Sequence, residues 1–258
     1  LVLARRFTIF NNSAVLAAAI VLPCHGADAT PPGLVTMNDY ARSITDALTE
    51  PTLLVGPSAG GFAITAAAER DPFHMAGLIY LSAYIPAPGL SLADLRRAGL
   101  RQKLRGALHL ADDRLSFKVD PTAARRLFFQ DCPEQTAAWA VSKLGPAPVR
   151  PQSVPLFISR KSQDLPRHAI LTTEDRTIPP DWQARMASRL PEACITTLPV
   201  RPFPLLCRTA RSGPASHRIG TGHGLRGGNG PAAGRWQTVA CRLAARQSPG
   251  RASRLLRA

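Results

Sequence analysis

LLVGPSAGGFA, residues 53–63, sets a serine between glycines where an apolar run ends. Thr52–Val55 reads as a strand and FAITAAAER (62–70) as a helix, so Ser58 sits on the corner between them. Gly56-x-Ser58-x-Gly60 in that context spells a nucleophile elbow. A serine in so tight a turn takes a strained backbone that pushes its hydroxyl out from the sheet edge. Side chains on either neighbour would clash, which explains the two glycines. The amides that follow, starting with Ala59, converge at the positive end of the helix. There they stabilise the negative oxygen formed when an ester carbonyl is attacked. Ser58 is the candidate nucleophile and Ala59 the candidate oxyanion donor. Pro57 departs from the pattern by removing one amide donor, which the last residue of a strand tolerates.

Outward from this corner the chain alternates. An apolar run over 14–22 predicts a first strand, and PCHGADATPPG (23–33) a polar loop. Thr36 and Asp39 have the spacing of a helix start, and Tyr40, Ile44 and Leu48 share one face of that helix. GLIYLSAY (77–84), HAILTT (168–173) and CITTLPV (194–200) predict further strands, and Pro179-Pro180 opens a helix running to Leu190. Strands alternating with helices imply an α/β fold: a mostly parallel sheet with helices on both faces. Residues 86–156 break the rhythm with short amphipathic helices such as LADLRRAGLRQKL and PEQTAAWAVSKL, and read as an insertion at one end of the sheet.

Composition bounds the function. At 258 residues and 45% hydrophobic, the chain can bury one sizeable core. Its net charge of +15 is uneven: residues 201–258 contain eleven arginines and no lysine, aspartate or glutamate, leaving +4 for residues 1–200. That tail is rich in glycine and proline and poor in apolar anchors, so it reads as solvated polypeptide rather than a nucleic-acid or membrane binder. The five cysteines (Cys24, Cys132, Cys194, Cys207, Cys241) form no C-x-x-C pair, and no Walker-type phosphate loop occurs. GHGLRG (222–227) matches a dinucleotide fingerprint in spelling only. No metal or cofactor is expected. Arg5 and Arg6 followed by AVLAAAIVLP (14–23) have the layout of an export signal, but Asn11, Asn12 and Pro23 fit it poorly. The default location is the cytoplasm, with export the alternative.

A serine hydroxyl needs a base, and the base needs an orienting acid. On an elbow of this kind the chain order is Ser, then Asp or Glu, then His. LTTEDRTIPP places Glu174 and Asp175 just after a later strand. Together LLVGPSAGGFAITAAAERDP, LIYLSAYIPAPGLSL, FFQDCPEQTAAWA and ILTTEDRTIPPDWQARMA resemble the α/β-hydrolase superfamily, in the branch of plant methylesterases, hydroxynitrile lyases and bacterial carboxylesterases. LPCHGAD resembles that branch's LPGHG loop, with Cys24 in place of a glycine. The likeness covers about residues 20–200. It implies Ser58 as nucleophile, Asp175 as the acid, and a cap over the pocket formed by residues 86–156. It also implies a small-molecule ester as substrate.

Two departures accompany the matches. The family's early strand and His-Gly oxyanion motif would precede residue 20, and LVLARRFTIFNNS contains neither. The family's base follows the last strand, yet LPVRPFPLLC brings no histidine between His168 and His217. Both departures fit a gene read out of frame near codon 200 and perhaps upstream of codon 20, so that N-terminal strands and a C-terminal helix are missing or degraded. The expected function is ester hydrolysis through an acyl-enzyme, impaired because no base is visible. Alternatives are cyanohydrin cleavage on the same scaffold, or a non-catalytic protein with a basic nucleic-acid-binding tail. His223 is a poor substitute base on a glycine-rich tail, and oligomeric state is not legible.

Overall fold

The computed structural model describes residues 7–9, 15–99 and 103–199. The chain divides into two units, residues 1–213 and 214–258, and every described residue belongs to the first. Strands β1 (Phe7–Ile9) and β2 (Val15–Ala17) pair antiparallel, with Thr8 opposite Leu16. The strand predicted over 14–22 is therefore shortened to three residues, and the strand at 7–9 is one that pattern reading does not foresee. The apolar run finds its ladder partner next to it in sequence, so a three-residue partner sets its length. The arginine-rich stretch 201–258, with its predicted tail, lies outside the described residues.

The loop that follows is pinned at several points. Asp28 accepts from the amides of Cys24 and Thr30 at 2.8 and 2.9 Å. Cys24 has φ +64°, the left-handed region in which the resembling loop carries glycine. His25 bonds the Tyr40 hydroxyl through Nε2 at 2.7 Å. Helix α1 (Met37–Asp46) then starts as its spacing predicts: Thr36 and Asp39 exchange side-chain-to-backbone hydrogen bonds in a capping box. Tyr40 and Ile44 are buried on its inner face.

The main sheet is wholly parallel. It contains β3 (Thr52–Ser58), β4 (Met75–Ala83), β8 (Arg167–Thr172) and β9 (Ile195–Leu198), in the order β3-β4-β8-β9. Helix α2 (Gly60–Arg70) connects β3 to β4 and packs on both, while α1 packs on α2. Its buried face is mostly Ala63, Ala66, Ala67 and Ala68, small enough for the helix to lie close to the strands. Thr65 ties it down further: its hydroxyl donates to the Gly61 carbonyl and pairs with the Tyr80 hydroxyl at 2.9 Å. Helix α8 (Pro180–Ala187) packs on β8, opening after Pro179 where the prolines predict a start.

Between β4 and β8 lie α3 (Leu92–Ala98), β5 (Leu108–Leu110), β6 (Ser116–Val119), α4 (Pro121–Phe128), α5 (Glu134–Ser142), β7 (Ala147–Pro148), α6 (Arg150–Ser153) and α7 (Arg160–Gln163). Strands β5, β6 and β7 form a separate antiparallel sheet within the stretch read as helical. Strands of two to four residues are too short to show a two-residue period. Glu69 of α2 anchors the return from this insert. Its carboxylate accepts from Ser159 and Ser162 through both hydroxyls and both amides.

Gly61 shows how close the helix comes. A Cβ there would lie 2.2 Å from the Tyr84 carbonyl oxygen, whereas one at Gly145 meets nothing within 4 Å. Gly61→Ala is therefore expected to cost about 2–3 kcal/mol in urea unfolding, and Gly145→Ala to change little. Equal midpoints for the two variants would refute this account of the packing.

Candidate active site

The last residue of β3 carries the bend. Ser58 has φ +51°, a left-handed conformation that costs a non-glycine residue about 1–2 kcal/mol. The surroundings hold it there. A Cβ on Gly56 would lie 2.5 Å from the Gly60 carbonyl oxygen, and one on Gly60 would lie 3.2 Å from Pro57 Cδ. The Tyr84 amide donates to the Ser58 carbonyl at 3.1 Å. Register between β3 and β4 slips at the same place, between Pro57 and Ser58. Ala59 begins α2 as its N-cap with helical backbone angles, so its amide belongs to the first turn, whose N–H groups have no partner within the helix.

Ser58 and Asp175 line one small cavity of about 70 Å³, room for several water molecules. Pro57, Ser82, Phe128, Thr177 and Ile178 form the rest of its wall. Ala59 is not part of that wall. Ser82 also has a left-handed backbone, φ +44°, and its hydroxyl pairs with that of Thr172 at 2.8 Å. Phe128 comes from α4, so the insert contributes a wall to the cavity.

Asp175 is held as tightly as the serine. One carboxylate oxygen accepts from the amides of Thr177 and Ile178 at 2.7 and 2.9 Å, a turn in which an aspartate caps its own following loop. The other accepts from Gln183 Nε2 at 3.0 Å. Gln183 is buried, and its amide also binds the Thr172 amide through Oε1 and the Ile178 carbonyl through Nε2. Burial pushes the Asp175 carboxyl up to about 6, against the pull of the two backbone amides. Glu174, the neighbouring candidate, has an exposed side chain, and its carbonyl accepts from Gln130.

No histidine among the described residues lines this cavity. His25 is bound to Tyr40, and burial lowers its imidazole to about 4. His74 stacks edge-on against Phe73, His109 is exposed on β5, and His168 pairs with Thr196 Oγ1 at 2.8 Å. His217 and His223 lie outside the described residues. No group of three or more side chains suited to a metal occurs among the described residues, and no helix there is long and apolar enough to cross a membrane.

Ser82, Thr172 and Gln183 escape sequence reading. A serine inside LIYLSAY gives no sign of its backbone angle, and a glutamine on a helix reads as solvent-facing until the helix is packed.

Residues 3–245 match the family model of the alpha/beta hydrolase family. Methylesterase 17 of Arabidopsis thaliana is 26% identical over 183 residues, covering 64% of this chain and 66% of that protein. The pyrethroid hydrolase of Sphingobium wenxiniae is 27% identical over 184 residues, covering 66% of this chain and 65% of that protein. The chain thus spans just under two thirds of the length of these curated relatives. Among solved structures, polyneuridine aldehyde esterase superposes with a TM-score of 0.64 at 16% identity, over 76% of this chain and 84% of that one. A pyrethroid hydrolase from Sphingobium faniae superposes with a TM-score of 0.61 at 23% identity, over 72% and 79%.

The raised carboxyl gives a signed pH dependence. Between about pH 4, where an unfolded aspartate titrates, and about pH 6, where Asp175 titrates, the folded chain holds the extra proton. Stability therefore falls as pH rises through that window, by about 3 kcal/mol at most. Urea unfolding from pH 4 to 7 should show this fall, and Asp175→Asn should flatten it. A parallel fall in the variant would refute the assignment to Asp175.

Proposed function

The chain belongs to the alpha/beta hydrolase family, and from that premise we propose that it acts on carboxylic esters with Ser58 as nucleophile and Asp175 as the orienting acid. One observation carries the reading: a serine held at φ +51° on the strand-to-helix corner shares a cavity with a buried, ionisable carboxylate from the loop after β8. The ester-cleaving relatives support the substrate class. In this reading residues 86–156 form the cap and Phe128 supplies an apolar wall against the acyl group.

The Ser58 hydroxyl attacks the ester carbonyl and, with no described histidine in reach, passes its proton to water, which returns one to the departing alcohol. The carbonyl oxygen takes negative charge, which in this reading the amides at the start of α2, Ala59 first, stabilise. Collapse expels the alcohol and leaves the acyl group on Ser58, and water then releases the acid. Both transfers need a base to carry the proton. Asp175 would orient an imidazole, but no described histidine stands in reach of the cavity. Hydrolysis by the chain as written is accordingly slow, since removing a triad member leaves only what the oxyanion site and binding provide.

A fluorophosphonate probe and a p-nitrophenyl ester test this together. The expected result is slow covalent labelling at Ser58 and weak hydrolysis, both falling to background in Ser58→Ala. Hydrolysis that survives Ser58→Ala, or a label on another residue, would overturn the assignment.

A further inference from the structure

A second, larger cavity of about 310 Å³ is lined by Lys103, Arg126, Arg176 and Leu127. Three cations converge on it, and no ion pair joins any of them to a carboxylate among the described residues. Its place in the fold ties it to the serine cavity. Arg126 and Leu127 face the larger cavity while the next residue, Phe128, lines the smaller one. Arg176 faces the larger while its neighbours on both sides, Asp175 and Thr177, line the smaller. The Thr177 hydroxyl donates to the Leu127 carbonyl at 3.0 Å, locking the two segments together as a shared wall.

We propose that this cavity is an anion subsite, and that it selects esters carrying a carboxylate at the far end of the acyl chain, such as half-esters of dicarboxylic acids. The chemistry follows from the residues. Guanidinium and ammonium groups around a concave surface, joined to no carboxylate among the described residues, favour an anion over a neutral chain. Adjacent residues of the two segments line both cavities, so in this proposal the acyl chain runs from the Ser58 hydroxyl over the rim that the cavities share. All three cations have exposed side chains, so the attraction is screened by salt and modest per contact. Its effect is selectivity between substrates, not tight binding. The anion site stands on the cavity alone, whereas its role in choosing esters rests on the hydrolase reading above.

Two measurements separate these parts. Glutarate binding is titrated calorimetrically at low salt on the full chain, on Ser58→Ala, and on the Arg126→Gln/Arg176→Gln double variant. Both substitutions are at exposed positions, and matching urea midpoints establish that the variants fold. Saturable binding to the first two proteins is expected, weakened about tenfold in the double variant, each charge contributing about two- to fivefold. Hydrolysis of mono-p-nitrophenyl glutarate is then compared with that of p-nitrophenyl valerate. The anionic ester is expected to show a KM about tenfold lower, a preference that the double variant loses. Absence of saturable glutarate binding, or binding undiminished in the double variant, overturns the anion subsite whatever the esterase does. Glutarate binding that depends on the two arginines, with no Ser58-dependent hydrolysis of either ester, upholds the subsite and sinks the hydrolase reading instead.

Discussion

The forced bend at Ser58 is the constraint on which the rest of the site depends. A left-handed serine is unfavourable by itself, and it persists here because three close approaches leave no alternative. Gly56 and Gly60 let the strand end and helix start nearly touch, Gly61 lets α2 lie on the Tyr84 carbonyl, and the Tyr84 amide holds the Ser58 carbonyl. The approaches of Gly56 to the Gly60 carbonyl and of Gly61 to the Tyr84 carbonyl are to backbone atoms, so side-chain rearrangement cannot relieve them. The result is a hydroxyl fixed at the edge of a parallel sheet, with the first amides of a helix beside it. Backbone strain of this kind is held where the surrounding packing over-determines it.

The carboxylate across the cavity is organised by the opposite means. Asp175 is unstrained but buried, and burial alone would keep it protonated. Two amides from its own loop and the Gln183 amide supply three donors to its two oxygens. Gln183 in turn binds the end of β8 through Thr172, which bonds Ser82 on the neighbouring strand. A chain of polar side chains thus runs across the strand ends beneath the cavity. It offers the carboxylate fixed partners in place of water, while burial raises its titration to about 6 against the pull of the two loop amides.

At 16–23% identity, this chain and the solved structures it superposes on share the fold of the sheet and its helices. Those are the parts whose geometry tolerates few alternatives. The surroundings of the site belong to the insert, where α4 presents Phe128 to the serine cavity and Arg126 to its neighbour. The insert packs on buried clusters of its own, such as Leu104, Ala107, Ala123 and Leu127, and segments of this type are where members of one fold differ.

Much of this was legible in the sequence because the signals are local. The elbow is a five-residue pattern between two elements, the cap of α1 is a four-residue one, and β3 and β4 carry apolar runs. Chain order brings the elbow serine and the Glu174-Asp175 pair into view, and the choice of Asp175 came from the family resemblance. The tertiary structure alone decided the rest. The early apolar run pairs with Phe7–Ile9 because partner choice is a matter of space, not of composition. The short strands of the insert lack the length to show a period. That Ser82 is strained, that Gln183 is buried against Asp175, and that Arg126 and Arg176 converge with Lys103 from distant segments are facts about juxtaposition. A sequence pattern records which side chains share a face of one element; only packing determines which faces meet.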